Sequence, residues 1–560
     1  MNYNFLLSSE LVDMPAPLGF DSWLTFWLMI IISAVNAVLM SFAAYKFFQV
    51  SQLTSYKMKG FWKWIKENKG AEWGRLIILS FLSSAALLIT NVLLQDFFVY
   101  KIMQYFGLLF YLLFALVYII NQYSIAQKTP LKYTHRMNRM IGAYSVLVFA
   151  LTMVLLSVTI VYIPYFKFGG VTVIPMFIPL IVCIAYYIML PYETLHNRSF
   201  VKRAKKKLAS HNNLIKIAIT GSYAKTSVKN ILTTMLSKKF NVCCSPLNYN
   251  TPLGLSKTVL EHLTVRDQVL VAEMGARYVG DIKELCDLIE PEIGLITGIG
   301  NQHLLTFKTK ENLIKTKSEL TDYICSKNGK MFFSAQNEES IDLFNKCSCE
   351  KVLSNPFNEN DTLYAKDIEH NQMGVTFTLV YKGKEYKTRA NLLGSHNVSN
   401  IILCANVCLS LGISIEQIVE AIEMLMPSPH RLALTPSANS LIVIDDAYNA
   451  SVEGSRAALD VLASYKSTKV VITPGLVELG KEQFECNVEF GKAMAAVADY
   501  VIVDGTFNYQ ALEKGLLEGG MAADKILRAG SLKQAVTLLR DITEPGDVVL
   551  FENDLPDNYN

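Results

Sequence analysis

The octet Thr220-Gly-Ser-Tyr-Ala-Lys-Thr-Ser227 carries the residue types that handle phosphate. It follows an apolar, β-like run and opens a helical pattern through Val228, Ile231, Leu232 and Leu236. In such a strand–loop–helix layout, backbone N–H groups and the helix N-terminus cradle phosphate oxygens, a lysine neutralises charge and a hydroxyl reaches Mg2+. Gly221, Ser222, Lys225, Thr226 and Ser227 are the candidates for this work. The usual loop has a second glycine directly before the lysine, and Ala224 stands there instead. A plain βα turn with a solvated lysine is the competing reading of the octet alone.

Further on, Glu273 ends the apolar run 268–273, where a carboxylate could hold Mg2+ directly or through water. The run 293–299 leads to Asn301-Gln-His303, which places an imidazole beyond another strand tip. A lone histidine is more often structural, but strand C-terminal edges are where open sheets bind ligands. The elements that must position these residues are β-like runs at 215–220, 268–273, 293–299, 441–445, 469–473, 500–503 and 547–551, alternating with helical patterns. Alternation of this kind predicts α/β architecture with largely parallel sheets in two units. Residues 363–365, 374–381 and 385–391 read as antiparallel strands, with a turn at 382–384.

The first 210 residues are of another kind. With 51% hydrophobic residues the chain is rich in apolar side chains for a soluble protein. Five stretches, 23–45, 76–95, 102–127, 141–166 and 169–192, contain no Asp, Glu, Lys or Arg. Each can supply the ~20 apolar residues that a helix needs to cross a hydrocarbon core about 30 Å thick. Lys46, Lys57, Lys59, Lys63, Lys66, Lys69 and Arg75 lie between the first two stretches, and Lys128, Lys132, Arg136 and Arg139 between the third and fourth. The opposite connections hold only Lys101 and Lys167, so the N-terminus is expected outside and everything after the fifth span in the cytoplasm.

Phe61, Trp62, Trp64 and Ile65 interleave with lysines, which fits either a short helix among lipid headgroups or a solvated basic loop. Arg198, Lys202, Arg203, Lys205, Lys206 and Lys207 read as a basic connector and surface anchor rather than a nucleic-acid patch. A net charge of +3 gives no reason to expect nucleic acid as a partner. The ten cysteines include no C-x-x-C pair and read as reduced, cytosolic and mostly structural.

Taken in order, the blocks of residues 220–227, 273–276, 297–303, 312–319, 394–400, 430–431 and 445–450 resemble the Mur ligases, and within them the enzymes that add a D-alanyl-D-alanine dipeptide. The resemblance covers about 214–546. It implies a P-loop central ATP-binding domain at 214–426 and a Rossmann-like C-terminal domain at 427–560. These are preceded by the membrane domain of five transmembrane helices at 1–195 and the basic connector at 196–213 that the apolar and charge patterns give. It also implies ATP and two Mg2+ ions as cofactors. Lys225 and Thr226 would handle phosphates and metal, with Glu273 and His303 as metal ligands. Lys317 would be the lysine that is carbamylated into a further ligand. Asn397 and Asn400 would meet adenine, Asp446 the ribose, and Arg431 the nucleotide phosphates. Tyr448 and Asn449 would present the incoming amine. The reaction implied is phosphorylation of a carboxylate by ATP, followed by attack of an amine on the acyl phosphate.

Mur ligases hold a UDP-linked sugar with a soluble N-terminal domain, and here the five apolar stretches replace it. The expected acceptor is a lipid-linked or nucleotide-linked envelope precursor not recognised through UDP in the usual way. A lipid-linked one would be confined beside a tethered catalytic unit in the bacterial cytoplasmic membrane, and the competing reading is that the spans only anchor the enzyme. Ser451-Val452 replaces the family's Asn-Pro after the 445–450 block, and the residues from Leu550 to Pro556 also depart from the pattern. The alternative is a non-catalytic ATP-binding scaffold or sensor of envelope synthesis. A transporter fits less well, because the spans show no internal repeat and no charged pathway.

Overall fold

The computed structural model describes residues 22–68, 70–93, 100–124, 129–162, 168–246, 248–300, 304–435, 440–448 and 451–553. The chain divides into two compact units, Met1–His196 and Asn197–Asn560.

The first unit is helical. It comprises α1 (Ser22–Ala43), α2 (Tyr45–Leu53), α3 (Met58–Glu67), α4 (Ala71–Leu93), α5 (Tyr100–Ser124), α6 (His135–Tyr162), α7 (Gly169–Val173) and α8, which runs from Ile178 to Ala209 with Pro191 inside it. Five segments are long and apolar enough to cross a membrane: Thr25–Ala43, Ala71–Thr90, Gly107–Ser124, His135–Ile160 and Gly169–Ala209. Their outward faces carry Ile31, Val38, Phe81, Leu109, Ile120 and Val146, all exposed, while small polar groups turn inward. Asn36 donates to the Thr152 hydroxyl at 3.0 Å and Ser84 meets Thr172 at 2.7 Å, which satisfies polar atoms where no water reaches. The basic aromatic stretch is α3, and it is not a solvated loop. Phe61 and Ile65 pack into the core of this unit, while Lys59 and Lys66 stay exposed.

The second unit holds two parallel sheets and an antiparallel one. The first consists of β1 (Ile215–Thr220), β2 (Val242–Cys244), β3 (Val269–Glu273), β4 (Ile293–Ile296), β5 (Lys330–Ser334) and β6 (Glu350–Ser354), in the order β2-β3-β1-β4-β5-β6. All its pairings are parallel, and β3 is buried along its whole length, as its unbroken apolar run requires. The helices connecting or flanking it are α9 (Lys225–Leu236), α10 (Pro252–Lys257), α11 (Asp281–Ile289), α12 (Leu304–Phe307), α13 (Lys310–Ser326) and α14 (Glu338–Lys346). Val228, Ile231, Leu232, Met235 and Leu236 of α9 are buried, each worth roughly 1.5–3 kcal/mol relative to exposure. They fix the helix that starts at the octet.

The hairpin strands β7 (Leu363–Asn371), β8 (Gly374–Tyr381) and β9 (Lys384–Ala390) form the antiparallel sheet, followed by α15 (His396–Ser410) and α16 (Ile415–Glu423). The last sheet contains β10 (Ala433–Thr435), β11 (Ile442–Asp446), β12 (Lys469–Thr473), β13 (Tyr500–Asp504), β14 (Ile526–Ala529) and β15 (Val548–Glu552), ordered β10-β11-β15-β12-β13-β14. Only the β10 pairing is antiparallel. Its helices are α17 (Val452–Ala463), α18 (Gln483–Ala495), α19 (Tyr509–Glu518) and α20 (Leu532–Ile542). Ser451, which stands where the family has asparagine, caps α17 by accepting the Gly454 N–H at 2.9 Å.

Candidate active site

The central strand β1 ends at Thr220 and the chain turns through Gly221 with φ 155°. A Cβ at that glycine would run into the Thr297 hydroxyl, so the close approach of the loop to the start of the next strand's exit demands glycine. Thr297 donates its hydroxyl to the Tyr223 carbonyl at 2.6 Å, and the Ser222 N–H donates to the Gly298 carbonyl at 2.6 Å. The loop is thus clamped at its base.

Ala224 has φ 59° and ψ 0°, the left-handed region. A negative φ would accommodate alanine here without strain, and the backbone adopts the opposite sign. A left-handed alanine costs roughly 1–2 kcal/mol, partly offset because glycine loses more entropy on folding. Ala224→Gly is therefore expected to raise the thermal midpoint, by the equivalent of about 0.5–1 kcal/mol, without loss of activity. A lowered midpoint in a melting curve would contradict the strain.

Lys225 is half-buried at the start of α9, and its Nζ donates to the carbonyls of Gly221 and Ser222, both at 2.7 Å. Burial, with Arg431 adding to it against the pull of Glu273, brings the ammonium down to about 8. Thr226 donates its hydroxyl to Glu273 Oε2 at 3.0 Å. Glu273, at the end of β3, also accepts from Lys229 Nζ at 3.1 Å and from the Asn250 amide at 3.2 Å. Burial alone would raise this carboxyl, but Lys229 and Lys225 hold it below the usual carboxylate range. Lys317 projects from α13 into the same buried region, its Nζ 3.5 Å from the Thr220 hydroxyl. Burial, and then the charge of Lys225, push its pKa well below that of a free lysine.

A second group lies where the first parallel sheet meets the last. Ser227, Asn397 and Arg431 line one cleft together with Asn230, Leu393 and Ser428. Asn400 sits behind Asn397 and donates its amide to Asn397 Oδ1 at 3.2 Å, while its own carbonyl oxygen is buried without a partner among the described residues. The Arg431 guanidinium lies over the Tyr448 ring, 4.9 Å from its centroid, and the Tyr448 hydroxyl accepts from Asn248 at 3.1 Å. Asp446 accepts the Leu432 N–H at 3.1 Å, so it braces the cleft wall. His303 and Asn449 lie outside the described residues.

Lys229, Asn250 and Glu552 were not singled out from the sequence. Lys229 had a signal, since positions 226 and 229 share a helix face and can reach the same carboxylate. Glu552 had none, because its place is set by strand register: it pairs with Asp446 across β15 and β11. It is fully buried and accepts the Ser455 hydroxyl at 2.6 Å. Burial, with Asp446 beside it, raises Glu552 well above the ordinary value, and burial raises Asp446 to about 6. Carboxyls raised in the fold contribute stability that is full below their unfolded pKa of ~4 and is lost as pH rises through the folded values. For Asp446 alone the shift corresponds to roughly 3 kcal/mol. Glu552→Gln keeps an acceptor for Ser455, so it should raise the melting midpoint at pH 8 and leave it nearly unchanged at pH 4. Equal shifts at both pH values would refute the assignment.

The loop fits the phosphates of ATP. Gly221 lets the backbone approach, the Ser222 hydroxyl is buried without a partner among the described residues, and α9 has no side-chain N-cap to compete for its leading N–H groups. The hydroxyl of Thr226 and the carboxylate of Glu273 are oxygen donors of the kind Mg2+ takes.

The family model described as the Mur ligase middle domain matches residues 219–408, and that described as the Mur ligase, glutamate ligase domain matches 430–552. The UDP-N-acetylmuramoyl-tripeptide–D-alanyl-D-alanine ligase of Escherichia coli is 30% identical over 329 residues, spanning 58% of this chain and 72% of that one. The chain belongs to the Mur ligase family. As a Mur ligase with relatives of the MurF type, it is an ATP-dependent ligase that forms amide bonds. The corresponding Mycobacterium bovis enzyme is 29% identical over 357 residues, 60% of this chain and 69% of its own. A crystal structure of MurF from Acinetobacter baumannii superposes with a TM-score of 0.58 at 25% identity, covering 65% of this Mur ligase and 78% of that chain. Both family matches lie in the second unit, after the apolar helices.

Proposed function

We propose that this Mur ligase is embedded in the cytoplasmic membrane and joins an amino acid or a D-Ala-D-Ala-like dipeptide to a carboxylate on a lipid-linked cell-wall precursor. The observation that carries the reading is the helical unit itself: five membrane-length helices stand where the family uses a soluble domain for a UDP-linked sugar. The N-terminus faces outward and the ligase unit the cytoplasm, following the basic loops. The helical unit also offers a small, mainly apolar cleft with Arg136 and Glu193 in its wall, lined besides by Tyr56, Met140, Tyr186 and Leu190. There Arg139 pairs with buried Glu193 at 2.8 Å, while Arg136 stands 3.8 Å from it and lies over the Tyr56 ring. Two guanidinium groups against one carboxylate leave a positive charge that suits a lipid phosphate.

In the ligase unit, Lys225 and the N–H groups of the loop bind the phosphates, Arg431 supports them from the C-terminal domain, and Asn397 and Asn400 face adenine. Asp446 holds the ribose, and Tyr448 with Asn449 presents the amine. Mg2+, held by Thr226, Glu273 and His303 with Lys317 as carbamate, would supply charge stabilisation to the transferring phosphoryl group. Lys317 suits carbamylation because its depressed pKa favours the neutral amine, the form that combines with carbon dioxide. Lys225 beside it would offset the negative charge gained.

Phosphate release by the full chain in nanodiscs tests the reading, with lipid-linked and UDP-linked precursors compared across candidate amines. Lipid-linked acceptors should stimulate ATP cleavage at least tenfold more, and Arg136→Ala should raise their KM while leaving that for ATP unchanged. Equal use of UDP-linked acceptors would remove the lipid from the reading. No stimulation by any pair, with ATP still bound, would favour a scaffold.

A further inference from the structure

Far from the nucleotide cleft in sequence role, three of the ten cysteines converge at one edge of the first parallel sheet. Cys325 lies in the last turn of α13, Cys347 ends α14 as its C-cap, and Cys349 directly precedes β6. Their sulfurs form a triangle: Cys325 to Cys349 is 2.8 Å, Cys325 to Cys347 is 3.5 Å and Cys347 to Cys349 is 3.5 Å. Cys347 is buried, and the other two are half-buried, so the triangle has an open side. Among the described residues no histidine or carboxylate joins the group.

We propose that Cys325, Cys347 and Cys349 form a three-thiolate binding site for a soft d10 cation, Zn2+ or Cu+. Bonds of ~2.3 Å in a trigonal arrangement put sulfurs about 4 Å apart, so the edges of the triangle need to open by only about 0.5–1.2 Å. Side-chain rotation of the two half-buried cysteines provides that. Soft thiolate ligands select these ions over Mg2+, so the site does not compete with the oxygen donors beside the loop. Lys351 places its ammonium at this corner, donating to the Cys347 and Phe344 carbonyls, both at 2.9 Å, and so offsets part of the negative charge of three thiolates. Three ligands leave a fourth, solvent-facing position for Zn2+, whereas Cu+ is satisfied by three.

Such an ion ties α13 to α14 and to the start of β6, beyond the bonds that Lys351 makes to the end of α14. Of these elements, α13 is the helix that also carries Lys317 two turns earlier. The ion would anchor the far end of the helix on which that buried lysine is held.

Binding is measured on the full chain in detergent, purified with a reductant and without chelator, using Zn2+, Cu+ and Cd2+ in separate titrations. The expected result is one Cd2+ per chain with a sulfur-to-metal charge-transfer band, lost in Cys325→Ser, Cys347→Ser and Cys349→Ser and retained in Cys244→Ser. Because the serine variants could fail to fold, alkylation of the unmodified chain is followed by mass spectrometry with and without Zn2+ or Cu+. Residues 325, 347 and 349 should be protected together at least tenfold while Cys244 is not. Zn2+ protection alone would fix the site as zinc-selective, and Cu+ protection alone as cuprous. Absence of protection by either ion, or recovery of a Cys325–Cys349 disulfide from cells in place of free thiols, would overturn the proposal.

Discussion

Lys225→Ala is expected to lower ligase turnover by about 10²–10³-fold, the loss that follows removal of one preorganised charge from a transition state of this kind. The lysine is half-buried beside the glycine turn at Gly221, and at pH 7 a group held near 8 is still mostly cationic. Alanine removes that charge without touching the clamp that Thr297 and Gly298 provide at the base of the loop. The loss should therefore fall on kcat. Steady-state phosphate release decides the matter: a variant that keeps more than about a tenth of its activity would mean that the phosphates bind elsewhere.

Lys229→Met should instead destabilise the fold. Lys229 and Glu273 are both almost fully buried, with 2% and 3% of their side-chain surfaces exposed, and their 3.1 Å contact neutralises two charges where water cannot. Removing one partner of such a pair costs about 3–5 kcal/mol, because the other remains charged and uncompensated. Replacing both, as Lys229→Met with Glu273→Leu, should recover most of the stability, since an apolar pair of similar volume avoids the desolvation penalty. Turnover should not recover, because the carboxylate that faces Thr226 is gone. Thermal unfolding of the two single variants and the double one completes the cycle, and purely additive losses would show that the two residues are not coupled.

The sheets were legible in the sequence where strands are central. The runs ending at Thr220 and Glu273 are continuous apolar stretches because β1 and β3 are covered on both faces. Strands β2, β5, β6, β10 and β14 escaped notice. They lie at or near sheet edges and are short or mixed in pattern, and β2 and β6 contain Cys243-Cys244 and Glu350-Lys351 where a buried strand would carry branched side chains. Of the site, Gly221, Lys225, Thr226 and Glu273 follow from local order along the chain. The Lys229–Glu273 pair and the Asp446–Glu552 neighbours depend on which strands are adjacent, which spacing does not encode. The sign of φ at Ala224 was likewise invisible, because alanine gives no hint that the backbone around it is left-handed.

The ammonium of Lys225 is held by its own loop, bound to the carbonyls of Gly221 and Ser222. An incoming nucleotide on the proposed path must therefore outcompete the loop's own oxygens, and each charge-assisted bond given up is worth about 1.5–3 kcal/mol. A β/γ-phosphate pair can replace both bonds at once, whereas a monophosphate reaching only part of the loop cannot. On the proposed path the loop would therefore act as a threshold, favouring adenine nucleotides with the longer phosphate chain before any base or sugar contact is made.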